Sequence, residues 1–85
     1  MSSVDYSKLR SLTARQLISA LEREGFWLKR HKGSHHRYVH ADGRKVTATF
    51  HHPSQTFKIG TLRSMIEQQA HWTAADLKRL KLWKE

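Results

Sequence analysis

No cysteine occurs in this 85-residue chain, and that absence limits how it can fold. No disulfide can staple it and no thiolate can hold a structural zinc. The fold must therefore rest on one modest hydrophobic core, and the length allows a single domain. The composition can supply that core. The apolar share is 38%, and three Trp, three Phe and two Tyr exceed what a disordered chain carries. No strictly apolar run is longer than two or three residues, so no membrane-spanning segment is expected. The first residues lack the apolar stretch of a secretory signal, and the expected location is cytoplasmic.

Local signals give the order of elements. Thr13 and Gln16 have the spacing of a capping box, with Leu12 and Leu17 at the flanking staple positions. Leu17, Ile18 and Leu21 form one helical stripe, and Gly25 stands where a left-handed C-terminal residue is wanted. This predicts a helix from Ala14 to about Glu24. Residues 26–31 and 36–40 read as strands around a turn at Lys32-Gly33-Ser34. Asp42-Gly43 is a two-residue hairpin signal, and residues 45–50 form a third strand rich in Thr, Val and Phe. Pro53 ends it. Helical spacing returns at Ile59, Leu62 and Ile66, with Gly60 or Thr61 as its cap. Thr73 and Asp76 open a short third helix carrying Leu77 and Leu80. Phe26, Leu28, Val46 and Phe50 are expected in the sheet core.

The chain thus reads as a two-layer α+β domain over residues 11–82, ordered α-β-β-β-α with a short extra C-terminal helix. Residues 1–10 read as a loose arm and the tail from Lys81 as fraying. The same order occurs in double-stranded-RNA-binding domains, although order alone does not establish function.

Charge points to the partner. Sixteen Lys and Arg face seven Asp and Glu, a net charge of +9 with histidine neutral. A small domain this basic repels itself and is expected to meet a polyanion. Lys29, Arg30, Lys32 and Arg37, with His31, His35 and His36, crowd into residues 29–37. Gly33 permits close approach of a phosphate to backbone, and Ser34 adds a hydroxyl. The functional reading is a phosphate held beside an imidazole; the plain alternative is a solvated basic hairpin. RNA cleavage needs little more: a base for the ribose 2′-OH, an acid for the leaving 5′ oxygen, and cations around the phosphate.

Histidine also invites a metal, but the spacing argues against one. His35-His36 and His51-His52 are adjacent, so on a strand each pair points to opposite faces. His36 and His40 are about 13 Å apart along a strand. No cysteine or carboxylate lies between residues 25 and 41. Neither a metal nor a cofactor is expected. Trp27, Trp72 and Trp83 are candidates for base stacking or for padding a core edge. On strand parity His35 shares a face with Val39, expected inward. Either the Gly33-Ser34 turn breaks the register or the site lies at the sheet edge.

Taken together, these segments resemble the HicA toxins, small RNA-cleaving partners of HicB antitoxins. The resemblance runs from about Leu12 to Ala70. It rests on a first helix ending in Glu24-Gly25-Phe26, the element Lys32-Gly33-Ser34-His35-His36-Arg37-Tyr38, the His52-Pro53 region, and Ile59-Gly60-Thr61-Leu62-Arg63-Ser64-Met65-Ile66. It implies a double-stranded-RNA-binding-like fold, metal-independent cleavage of messenger RNA, and a HicB-type antitoxin that masks the site. It makes His35 the catalytic histidine. Lys29, Arg30, Lys32, Gly33, Ser34 and Arg37 are then the expected phosphate contacts, Ser34 also a possible orienter of His35, and His36 the candidate for the second proton transfer. A non-catalytic RNA-binding module is the alternative reading of the same basic face, and a protein bound only to an acidic partner is a third.

Overall fold

The first helix, α1 (Ala14–Arg23), forms where its capping box predicts. The Thr13 hydroxyl accepts from the Gln16 N–H at 3.2 Å, and the Gln16 side chain accepts from the Thr13 N–H at 2.9 Å. Ala14, Leu17, Ala20 and Leu21 bury one face. The helix stops at Gly25, whose φ of +101° is open to glycine at little cost. The Phe26 N–H then reaches back to the Leu21 carbonyl at 2.9 Å and closes the last turn. The structure is a computed structural model, described over residues 4–83.

Three strands follow in a meander: β1 (Trp27–Lys32), β2 (His35–Val39) and β3 (Lys45–Thr49), in the order β1-β2-β3, both pairs antiparallel. The Asp42-Gly43 hairpin differs in one respect from the two-residue turn its sequence predicts. The His40 N–H bonds the Arg44 carbonyl and the Gly43 N–H bonds the His40 carbonyl. The loop is therefore three residues, Ala41–Gly43, and only Gly43 has positive φ, at +99°. Asp42 instead accepts from the Arg44 N–H and Nε.

One side of the sheet is covered. Tyr38, Val46 and Ala48 join the core cluster from that side, while Val39 stays out of it. The second helical segment, α2 (Ile59–Arg63), runs on into a wide π turn over Ser64–Gln69. Its N-cap is Lys58, with no side-chain cap, so Gly60 and Thr61 lie within the helix rather than capping it. The π turn swings Gln69 onto the outer edge of β3, where its side-chain oxygen accepts the otherwise unpaired Thr47 N–H at 2.8 Å. The last helix, α3 (Ala74–Arg79), carries the expected Thr73/Asp76 capping box. The order is thus α-β-β-β-α with a short extra helix, a small α+β fold like that of double-stranded-RNA-binding domains.

Both ends of the described chain are better packed than the sequence suggests. In place of a loose arm, Tyr6–Leu9 form a 3-10 turn capped by Asp5, with Tyr6 and Leu9 buried. The Tyr6 hydroxyl donates to Glu67, and burial first, then that bond, pushes its pKa well above the ordinary value. At the other end Leu80 and Leu82 are buried, so the tail does not fray at Leu82. Lys81 takes a left-handed φ of +61° and the Leu82 N–H closes onto the Leu77 carbonyl. Residues 1–3 of the arm and residues 84–85 lie outside the described part.

Leu28 is the misplaced core residue: it is 44% exposed, because β1 is an edge strand whose near face the helices leave open. Phe26, one step before the strand, is buried in its place.

Leu9→Ala should cost about 2–5 kcal/mol in urea unfolding, the range for a fully buried leucine, whereas a loose arm would lose almost nothing. Gly43→Ala has open space for its Cβ and should cost about 1–2 kcal/mol for the backbone alone. Gly25→Ala should cost more, since its Cβ also meets His40 Nε2 at 3.0 Å, the nitrogen that donates to the Glu24 carbonyl.

Candidate nucleic-acid interface

Cross-strand partners share a face of the sheet, so the register places the candidate residues. On the side away from the helices, three rungs stand in line. The first is Trp27, Val39 and Lys45; the second Arg30, Arg37 and Thr47; the third Lys32, His35 and Thr49. A β-bulge between Leu28 and Arg30 creates this alignment. Without the extra residue Lys29, simple alternation would send Arg30 to the other side with Leu28. His35 is exposed on this open face. The parity puzzle resolves at Val39: it is buried beside Trp27 on the open face, and Tyr38 takes the place facing the helices.

Arg30, Lys32, His35, Arg37 and Thr47 line one shallow depression. Lys29, Arg30, Arg37, Val39 and Lys45 line a second one next to it. The four cations Lys29, Arg30, Lys32 and Arg37 are therefore brought together with His35 on one surface, and Lys45 joins them from β3. Gly33 makes the turn with φ +58° and leaves open space above its Cα.

The two histidines of the pair separate. His35 Nδ1 lies 3.2 Å from the Thr49 hydroxyl. This contact orients the ring, and the Ser34 carbonyl beside it accepts from the Phe50 N–H. His36 faces the other way. Its ring lies between His31, at 4.3 Å, and Phe50, at 4.0 Å, both nearly parallel to it. Its Nδ1–H donates toward the Ser34 and Ala48 carbonyls. The structure does not bring His36 to the face that carries His35.

Thr49, Thr47 and Lys45 escaped the sequence reading. Their signal was the hairpin register, which needs the three-residue loop to be known. Of the three tryptophans, Trp72 is buried and Trp83 packs against the core under the Lys8 ammonium, 5.1 Å away. Only Trp27, 51% exposed, is free to meet a base.

The electrostatics are one-sided. Arg30 and Arg37 stand directly opposite each other, an arrangement that destabilises a sheet. Among the described residues, the ion-paired carboxylates lie elsewhere. Asp42 pairs with Arg44, Glu67 with Arg63, and Glu24 and Asp76 with Arg79. Asp5 is held below the ordinary carboxylate pKa by the Ser7 hydroxyl, Asp42 by the Arg44 N–H, and Asp76 by the Thr73 N–H. None of these acids reaches the open face. No cluster of three or more His, Asp or Glu able to hold a metal occurs among the described residues. Among the described residues, no helix is long and apolar enough to cross a membrane.

Comparison with known proteins agrees with this geometry. A family model described as the HicA toxin of bacterial toxin-antitoxin matches residues 14–71, from the start of α1 through the sheet to the end of the π turn. No curated protein matches the chain.

The unbalanced cations give a direct test. Arg30→Gln should raise stability by about 0.2–1 kcal/mol at low salt by removing the opposed like charges. The gain should shrink toward zero in molar salt, where screening is short-ranged. Thermal melts at two salt concentrations measure it.

Proposed function

The chain belongs to the HicA toxin family, toxins of bacterial toxin-antitoxin pairs, and on that premise we propose that it is an endoribonuclease that cleaves messenger RNA at His35 and is neutralised by a HicB-type antitoxin. The observation that carries this reading is the third rung of the open face. An exposed imidazole there lies among Arg30, Lys32 and Arg37, with its Nδ1 held by Thr49.

In the tautomer whose Nδ1–H donates to the Thr49 hydroxyl, Nε2 is bare and serves as the base that takes the ribose 2′-OH proton. The 2′ oxygen attacks the neighbouring phosphorus, and the 5′ oxygen leaves. Lys32, directly across the rung, supplies the proton for that oxygen in place of His36. Arg30 and Arg37 hold the phosphate, and their charge stabilises the extra negative charge of the transition state. DNA lacks the attacking hydroxyl and is spared. No step calls on a metal.

A HicB-type partner fits the same face. An antitoxin that brings carboxylates to Arg30, Lys32 and Arg37 would supply the counter-charges this chain keeps elsewhere and would cover His35. The expected location is the cytoplasm, where messenger RNA is met.

His35→Ala should lower the single-turnover cleavage rate by about 10²–10⁴-fold in buffer containing EDTA, with RNA affinity largely kept. Thr49→Val should lower it by less, since it leaves the imidazole in place. Wild-type cleavage by the His35→Ala protein would overturn the assignment. RNA that is bound tightly by the wild type, and released by salt, yet stays intact would instead identify a binding module.

A further inference from the structure

The first rung of the open face has no part in the cleavage chemistry. Trp27 is 51% exposed on a short edge strand. Exposing a tryptophan forgoes the burial that such a large side chain normally gains. The chain buries Trp72 and packs Trp83 against the core, so it has the means to cover tryptophans elsewhere. Trp27 stands on the same face as His35, with buried Val39 as its cross-strand partner. The depression floored by Val39 is ringed by Lys29, Arg30, Arg37 and Lys45. An aromatic platform beside a carboxylate-free set of cations is the pairing that holds single-stranded nucleic acid: bases stack on the ring while phosphates follow the charge.

We propose that Trp27 is a base-stacking residue that fixes a single-stranded RNA across the open face, so that one nucleobase stacks there while a phosphate lies at His35. The inference rests on the RNA-cleaving reading and adds to it the strandedness of the substrate and the line along β2 on which it lies. From Val39 to His35 is four residues along β2, roughly 13 Å. Stacked bases rise about 3.4 Å each, so the stacked base lies within about four nucleotides of the cut. A base locked inside a duplex has no free face to offer, and double-stranded RNA gains nothing from Trp27.

The test uses the wild-type chain, Trp27→Ala and Trp27→Phe with a short 2′-O-methyl RNA, which cannot be cut by this chemistry. Binding is read by fluorescence anisotropy at fixed salt. Trp27→Ala should weaken binding about 5- to 150-fold, the range for loss of one stacked base, and Trp27→Phe should keep most of the affinity. Moving a single abasic site along the strand should find one position, within about four nucleotides of the mapped cut, at which wild type and Trp27→Ala bind alike. The same sequence as a duplex should show no difference between the two proteins. Equal weakening on a fully abasic strand, or no weakening at all, overturns the proposal. Loss of antitoxin binding in Trp27→Ala with unchanged RNA affinity overturns it as well. The cleavage reading fails separately: if RNA is bound through Trp27 but never cut, the stacking stands and the catalysis does not. If RNA is cut equally well by Trp27→Ala and bound as tightly, only the stacking is lost.

Discussion

The burial of Tyr38 against the helices sets everything on the other side of the sheet. Side chains alternate along a strand, so a slip of one residue would invert both faces. With Tyr38 and Val46 inward, His35 and Arg37 must point out and His36 must point in. The alternative register, with Val39 inward, would bury His35 and Arg37 under the helices. A charged guanidinium there would lack the partner it needs. The register is thus enforced from the core, and the site inherits its orientation without any interaction of its own.

The bulge at Lys29 performs the same service for β1. Two strands with opposite parity would place Arg30 and Arg37 on different sides of the sheet. One extra residue brings them onto one rung. The result costs stability, because two guanidiniums face each other with no carboxylate between them. The core carries that cost. Tyr6 and Leu9 ahead of the family-matched segment, and Trp72, Leu77, Leu80 and Leu82 after it, all enter the same cluster as the α1 and β3 residues. These flanking segments are part of the domain's stability even though they lie outside the stretch that defines the family.

The elements most legible in the sequence were those with local chemistry. The Thr13/Gln16 and Thr73/Asp76 capping boxes satisfy helix ends within four residues, and both form. Gly25 ends α1 for a reason that is also local. Residues whose placement depends on distant packing were not legible. Val39 and Tyr38 are both apolar enough for a core, and only the helices decide between them. Leu28 looks like sheet core until the sheet order makes β1 an edge. The arm looks loose because Tyr6 and Leu9 lie only three positions apart, too short a pattern to reveal that the rest of the fold has a place for them. At the site, the cluster of residues 29–37 was visible as charge, but Thr49 and Lys45 come from another strand and could be found only through the hairpin.

The same reasoning separates what the two adjacent histidines are for. A histidine poised for proton transfer needs access to its substrate and a partner that fixes one nitrogen while leaving the other free. His35 has both, through exposure and Thr49. His36 has its Nδ1 on backbone carbonyls and its ring between His31 and Phe50, so its contacts tie the β1-β2 turn to the end of β3. Sequence adjacency suggested a shared task, whereas the pleat of a strand makes neighbours the residues least able to share one. Residues that act together on a sheet lie across rungs or two apart, and by that rule the companions of His35 are Lys32, Arg37 and Thr49.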